Sequence, residues 1–254
     1  MLIRFLNIAT LAFCVCCNLA HAQTNSIAPR LMRPLEFADF TVSEIHSQQG
    51  ASNLMQQKIK VGSDDADAYD IFSKNGDGKR IHVETVKEYR VAKIAGYSAN
   101  TTFEIAMESW FKDADTMLDF MAKAQPSKHS FLDKRFLELL PVTVLDWNGD
   151  EGKELKNDAA KGITLKDYTA AKARRPIHKL KFSGTKMTFS DDACDYEIWE
   201  LARGDFDHDG CEDSFISIST YYQGGSGRYF QTFVVSKTDR NAHVLRVVNG
   251  LPGS

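Results

Sequence analysis

Five carboxylates fall within nine positions at Asp205, Asp207, Asp209, Glu212 and Asp213, inside the stretch ARGDFDHDGCED that runs from Ala202 to Asp213. With Asp205, Asp207, Asp209 and Asp213 at positions 1, 3, 5 and 9 of a loop, Gly210 takes position 6 and the Cys211 carbonyl position 7. A hard cation such as Ca2+ takes roughly six to eight oxygens, and alternating carboxylates ahead of a glycine turn supply them from one short stretch. Without a counter-ion, neighbouring carboxylates a few Å apart repel by about 1 to 3 kcal/mol per pair. The expected metal ligands are therefore Asp205, Asp207, Asp209, Cys211 and Asp213, and the expected cofactor is Ca2+.

An EF-hand would carry a bidentate Glu at position 12, where this chain has Ile216, and helices rather than strand-like sequence would flank the loop. Residues 203–218 instead resemble the calcium-binding hairpin of FG-GAP and VCBS-type repeats. There the loop reads GDFNGDGxxD and joins two strands. Asp207 matches the Asn or Asp ligand of that family, and His208 stands where the family usually has Gly. The resemblance covers one hairpin and occurs once. It implies a calcium loop and neither a propeller nor adhesion. The embedded Arg203-Gly204-Asp205 tripeptide gives way to the same reading, because Asp205 cannot be both first metal ligand and receptor contact.

Other constellations are weaker. Ser73 to Gly78 with Glu84 partly copies a calcium loop but reads better as an Asn-Gly hairpin turn. Asp146 to Gly152 has oxygens at alternate positions but its glycine comes one place late, so an acidic turn is expected. The histidines show no HxH or HExxH spacing, and zinc ligation by His178, Cys194, Cys211 and His243 finds no support in spacing. Gly224, Gly225 and Gly227 beside Arg228 join two strands rather than open a helix, so they do not form a phosphate cradle. The aromatics around them, Tyr221, Tyr222, Tyr229 and Phe230, suit either cross-strand packing or contact with a protein or glycan.

The chain begins with Arg4, an apolar run from Phe5 to Leu19 and the small-residue pattern Ala20-His21-Ala22, which is the pattern of a secretory signal over residues 1–22. A secreted or periplasmic, soluble product with no stable membrane insertion after signal removal is expected. Beyond the signal, 30 basic residues face 34 acids, a balance that argues against a nucleic-acid partner. Cys194 and Cys211 are the two cysteines left there. An exporting route favours one disulfide between them. Against it, a hairpin through the acidic loop separates them by about 26 Å of strand, whereas a disulfide needs Cα atoms within about 7 Å. Both outcomes stay open at this level.

Four segments follow: the signal at 1–22, a polar flexible leader at 23–34, a mixed strand and helix region at 35–175, and an antiparallel β region carrying the calcium loop at 176–254. Residues 80–97 alternate as a strand would. An amphipathic helix is expected over 102–124 from the spacing of Ile105, Trp110, Phe111, Ala114, Met117, Leu118 and Met121. A shorter helix is expected at 131–140 before Pro141. A third starts at the Thr164-Leu165-Lys166-Asp167 capping pattern. After Pro176 the period becomes two, with six short strands starting near His178, Met187, Tyr196, Ser214, Tyr229 and His243. The fold class is α+β, with a helical middle packed against a C-terminal antiparallel β-sheet. The expected function is that of an exported soluble calcium-binding protein, a non-catalytic binding or inhibitor or immunity-type module. An exported hydrolase using a carboxylate pair is the alternative, since such pairs leave no spacing to read.

Overall fold

The computed structural model describes residues 26–45, 47–60, 70–74, 78–145, 149–170, 177–225 and 228–248. The expected signal at 1–22, the centre of the Asn-Gly turn at 75–77 and the start of the second acidic stretch at 146–148 lie outside these residues.

Six antiparallel strands form the frame in the order the period-two pattern predicts, and the fold is α+β. Short strands β1 (Arg30–Leu31), β2 (Leu35–Glu36), β3 (Thr41–Val42), β4 (Asp70–Lys74), β5 (Arg80–His82) and β6 (Tyr97–Ser98) lie among the helices α1 (Gln48–Leu54), α2 (Val86–Ile94) and α3 (Thr102–Lys123). Two 3-10 turns at 136–139 and 142–145 lead to helices α4 (Gly149–Ala160) and α5 (Leu165–Ala170). The strands β7 (His178–Ser183), β8 (Lys186–Ser190), β9 (Cys194–Gly204), β10 (Asp213–Tyr222), β11 (Arg228–Ser236) and β12 (Arg246–Val247) then follow as a meander, each paired with the next.

The sheet is covered on both faces. Leu201, Ala202, Phe215 and Val234 join α3 and the N-terminal elements in one apolar cluster. Met187, Phe189, Ile198, Ile216, Ile218 and Val235 join residues of the 3-10 turns, α4 and α5 in a second. β10 therefore reads as an almost unbroken buried run and not as an alternation of buried and exposed residues. A register shift at Phe215/Ile216 leaves Leu201 as an extra residue in β9, so Leu201 and its neighbour Ala202 both enter the first cluster. The Leu201 carbonyl accepts the Met32 and Arg33 amides at 2.8 and 3.2 Å.

Several expectations change. The leader is not free along its length: Arg30 and Leu31 pair with Arg203 and Ala202 of β9, and Ile27 exchanges backbone hydrogen bonds with Ser127 at 2.8 and 2.9 Å. The strand expected over 80–97 is a three-residue strand followed by α2. The physical reason is a complete capping box, in which Thr85 Oγ1 accepts the Glu88 amide while the Glu88 carboxylate accepts the Thr85 amide. The helix expected at 131–140 is a single 3-10 turn, Phe136–Leu139. Residues 149–152, expected as an acidic turn, begin α4, with Asp150 and Glu151 in its first turn where carboxylates favour the helix dipole. Within α3, Phe111, Ala114, Met117, Leu118 and Met121 are buried as expected, while Ile105 and Trp110 remain largely exposed.

Phe215 is fully buried and its ring centroid lies 4.4 Å from that of Phe120 on α3, so it joins sheet to helix. Phe215→Ala is expected to cost about 3 to 5 kcal/mol in denaturant unfolding, whereas Thr101→Ala, which removes the α3 cap, should cost about 1 kcal/mol.

Candidate metal centre

The acidic loop joins the two central strands, β9 and β10, and the chain leaving α3 straps it in place. Gln125 and Asp205 exchange backbone hydrogen bonds at 3.0 Å each. The Gly210 carbonyl accepts the Lys128 and His129 amides at 2.8 and 3.1 Å, and the Glu212 amide donates to the His129 carbonyl at 2.7 Å. Gly204 fits beneath this strap because it has no Cβ; a Cβ there would lie 3.0 Å from that of Ala124 and 3.2 Å from that of Pro29. The turn needs left-handed backbone at two positions, Gly210 with φ 87° and His208 with φ 65°. His208 adopts left-handed backbone at a steric cost, and its Nε2 lies 3.2 Å from the Lys123 carbonyl.

Beneath the loop lies a charged network that motif spacing does not reveal. Arg30 and Arg203 sit opposite each other across β1 and β9, a like-charge pairing that needs compensation. Glu212, with no exposed surface, supplies it: Oε1 is 2.5 Å from Arg30, and Oε2 is 2.6 Å from Ser130 Oγ and 3.5 Å from Arg203. Glu200 completes the shell, holding Arg203 through both carboxylate oxygens at 2.5 and 3.2 Å. The Arg203-Gly204-Asp205 tripeptide is thereby buried and engaged, with Arg203 committed to Glu200 and Asp205 only 3 % exposed.

Each aspartate of the loop divides its two oxygens. One oxygen holds the backbone: Asp205 Oδ2 accepts the Gly210 amide at 2.9 Å, Asp207 Oδ1 that of Asp209 at 3.3 Å, and Asp209 Oδ1 that of Cys211 at 2.8 Å. Asp213 Oδ2 accepts the Phe206 and Asp207 amides at 2.9 and 3.4 Å. The other oxygens face elsewhere. Asp205 Oδ1 is buried with no hydrogen-bond partner, and Asp213, also buried, has the Ser236 hydroxyl across from it on β11. Asp207 Oδ2 and Asp209 Oδ2 lie 2.5 and 3.3 Å from Arg246 Nη2.

Ligand atoms of Asp205, Asp207 and Asp209 lie within 4.8 Å of one another, so these three aspartates could hold a metal ion. The spacing suits a cation bonded at roughly 2.3 to 2.6 Å, whose opposite oxygens stand about 4.6 to 5.2 Å apart. Asp213, also expected as a ligand, borders the loop from its base but falls outside that group. Cys211 was expected through its carbonyl; its amide is tied to Asp209 and its side chain is buried. Burial raises the Cys211 thiol to about 11, with Asp209 adding to the shift, which disfavours the thiolate that a soft metal would need. Cys194 and Cys211 are not joined to each other: Cys194 pairs with Tyr222 at the far end of the β9–β10 hairpin.

The electrostatics show the strain of the arrangement. Burial raises Asp213 to about 7, assisted by the charges of Asp207 and Asp209 and opposed by the Ser236 hydroxyl and the Phe206 amide. Asp205 is raised as well, first by burial and then by Asp209 and Asp207, while the Gly210 amide pulls it down. A divalent cation among these oxygens would reverse the sign of the field.

A search of known protein families, curated proteins and solved structures finds no match to this chain. Of the functional groups, Arg30, Ser130 and Arg246 escape sequence reasoning, because each reaches the loop from a remote segment and not through local spacing, whereas Arg203 and Glu212 stand within the acidic stretch and only their pairing was hidden.

Glu212→Ala would leave Arg30, about a third exposed, facing an Arg203 still held by Glu200, and is expected to cost about 1 to 3 kcal/mol in denaturant unfolding with chelator present. Gly210→Ala forces a side chain into left-handed backbone and should cost about 1 kcal/mol or more under the same conditions.

Proposed function

We propose that this chain is an exported calcium-binding protein, a non-catalytic binding or inhibitor-type module whose cation stiffens the turn between its two central strands. The observation that carries the reading is the division of labour within the carboxylates: one oxygen holds backbone amides, while the second is turned to Arg246 in Asp207 and Asp209 and is buried without a hydrogen bond in Asp205. Buried carboxylate oxygens are costly unless something positive or hydrogen-bonding meets them. An all-oxygen ligand set drawn from one loop favours Ca2+ over softer metals. The signal-like N-terminus supports export, and extracellular calcium modules work at dissociation constants of roughly 10⁻⁴ to 10⁻³ M. The partner surface would include Tyr222 and Tyr229, about half exposed beside the β10–β11 connection, a setting suited to a protein or a glycan.

One observation favours the second reading, an exported hydrolase. A cleft of about 260 Å3 between α3 and the sheet is lined by Trp110, Asp113, Glu197, Trp199, Ser217 and Tyr221. Burial raises the Asp113 carboxyl, against the charges of Arg33 and Lys112. Glu197 is ion-paired with Lys186 and accepts the Tyr221 hydroxyl at 3.1 Å. Two carboxyl groups lining one cleft are the pair that glycoside hydrolysis uses. Glu197, however, is already engaged by Lys186 and Tyr221, and Arg33 lies over both Trp110 and Trp199, at 5.6 and 5.3 Å from the ring centroids. The binding reading is therefore preferred.

Calorimetric titration of the purified protein with CaCl2 is expected to show one site, lost in Asp205→Asn and in Asp209→Asn. Absence of heat from the wild type overturns the cation reading. Turnover of a glycan panel that disappears in Asp113→Asn would replace it with the hydrolase.

A further inference from the structure

We propose that Arg246 sets the affinity of the loop, as a built-in guanidinium that grips Asp207 and Asp209 and must release them when a divalent cation binds; this rests on the cation reading above. Strand register puts it there. Gly204, Asp213, Ser236 and Arg246 form one cross-strand row through β9, β10, β11 and β12, so Arg246 stands at the loop end of the sheet although it is 37 and 39 residues from Asp209 and Asp207.

Its Nη2 engages Oδ2 of both aspartates, at 2.5 and 3.3 Å, while Oδ1 of each is already committed to a backbone amide. A cation entering the group formed with Asp205 would claim the same Oδ2 atoms. Two positive groups on one pair of oxygens repel, so their occupancies compete.

The exchange needs no unfolding. The Arg246 backbone is fixed by pairing with Ser236, and on either side the Leu245 amide donates to the Leu139 carbonyl and the Val248 amide to the Val234 carbonyl, both at 2.8 Å. Leu245 is buried, whereas the Arg246 side chain is 52 % exposed and can turn into water. Such a residue stabilises the turn at low calcium and weakens binding at high calcium. Its removal should therefore act with opposite sign in the two conditions.

The test is a calorimetric CaCl2 titration of the full chain, with thermal melting in chelator, for wild type, Arg246→Gln and Arg246→Lys. Arg246→Gln is expected to bind calcium about tenfold more tightly, having lost two exposed ion pairs and a like-charge repulsion, and to melt at a lower temperature in chelator. Arg246→Lys keeps the charge and should remain within about threefold of the wild type. Heat from the wild type with an unchanged or weaker constant for Arg246→Gln overturns this proposal alone, whereas no heat from either protein overturns it together with the cation reading.

Discussion

Mutual repulsion among carboxylates confined to one turn is the constraint around which this structure is arranged. The turn cannot be relaxed by splaying, because it links β9 and β10, the central pair of the sheet, and its residues are pinned from outside by the strap at 125–129. Repulsion of about 1 to 3 kcal/mol per carboxylate pair is comparable to a sizeable share of a domain's net stability, roughly 5 to 15 kcal/mol. The surroundings answer it in three ways: backbone amides on one oxygen of each aspartate, a buried arginine and glutamate network beneath the loop, and Arg246 at its rim.

These three answers differ in rigidity. Glu212, Glu200 and Arg203 are almost wholly buried and span β1, β9 and the loop exit, so they act as a fixed base. Asp207, Asp209 and Arg246 lie nearer to water and form a rim that can change partners without disturbing the core. On the proposed cation reading, a firm base with a changeable rim suits a site that exchanges a soluble ion. It also explains how a left-handed histidine is tolerated: the strap holds the backbone around His208 against its own preference.

The frame was largely legible from period alone. The six C-terminal strands and the long helix α3 announce themselves through alternation and through a spacing of three and four, and both signals are local. The carboxylate loop was legible for the same reason, since its oxygens arrive in one short stretch. What escaped was set by distance along the chain or by overlapping patterns. Residues 86–94 alternate enough to pass for a strand, and only the Thr85 and Glu88 cap decides for helix. Asp150 and Glu151 look like turn acids, yet they open a helix whose dipole they favour. Arg30, Ser130 and Arg246 reach the loop from three remote segments, a placement fixed only when the sheet forms its register. The separation of Cys194 from Cys211 followed from the hairpin itself once the strands were placed.

The most direct measurement of the central claim is backbone amide hydrogen exchange across residues 204–213, followed with chelator and then with millimolar calcium. The account predicts that the amides of Phe206 to Cys211 keep in chelator the partial protection that their carboxylate hydrogen bonds give and gain further protection on adding calcium, while β10 changes little. Equal exchange of those amides in the two conditions would contradict it, because a cation would then add nothing to the contacts the protein already makes.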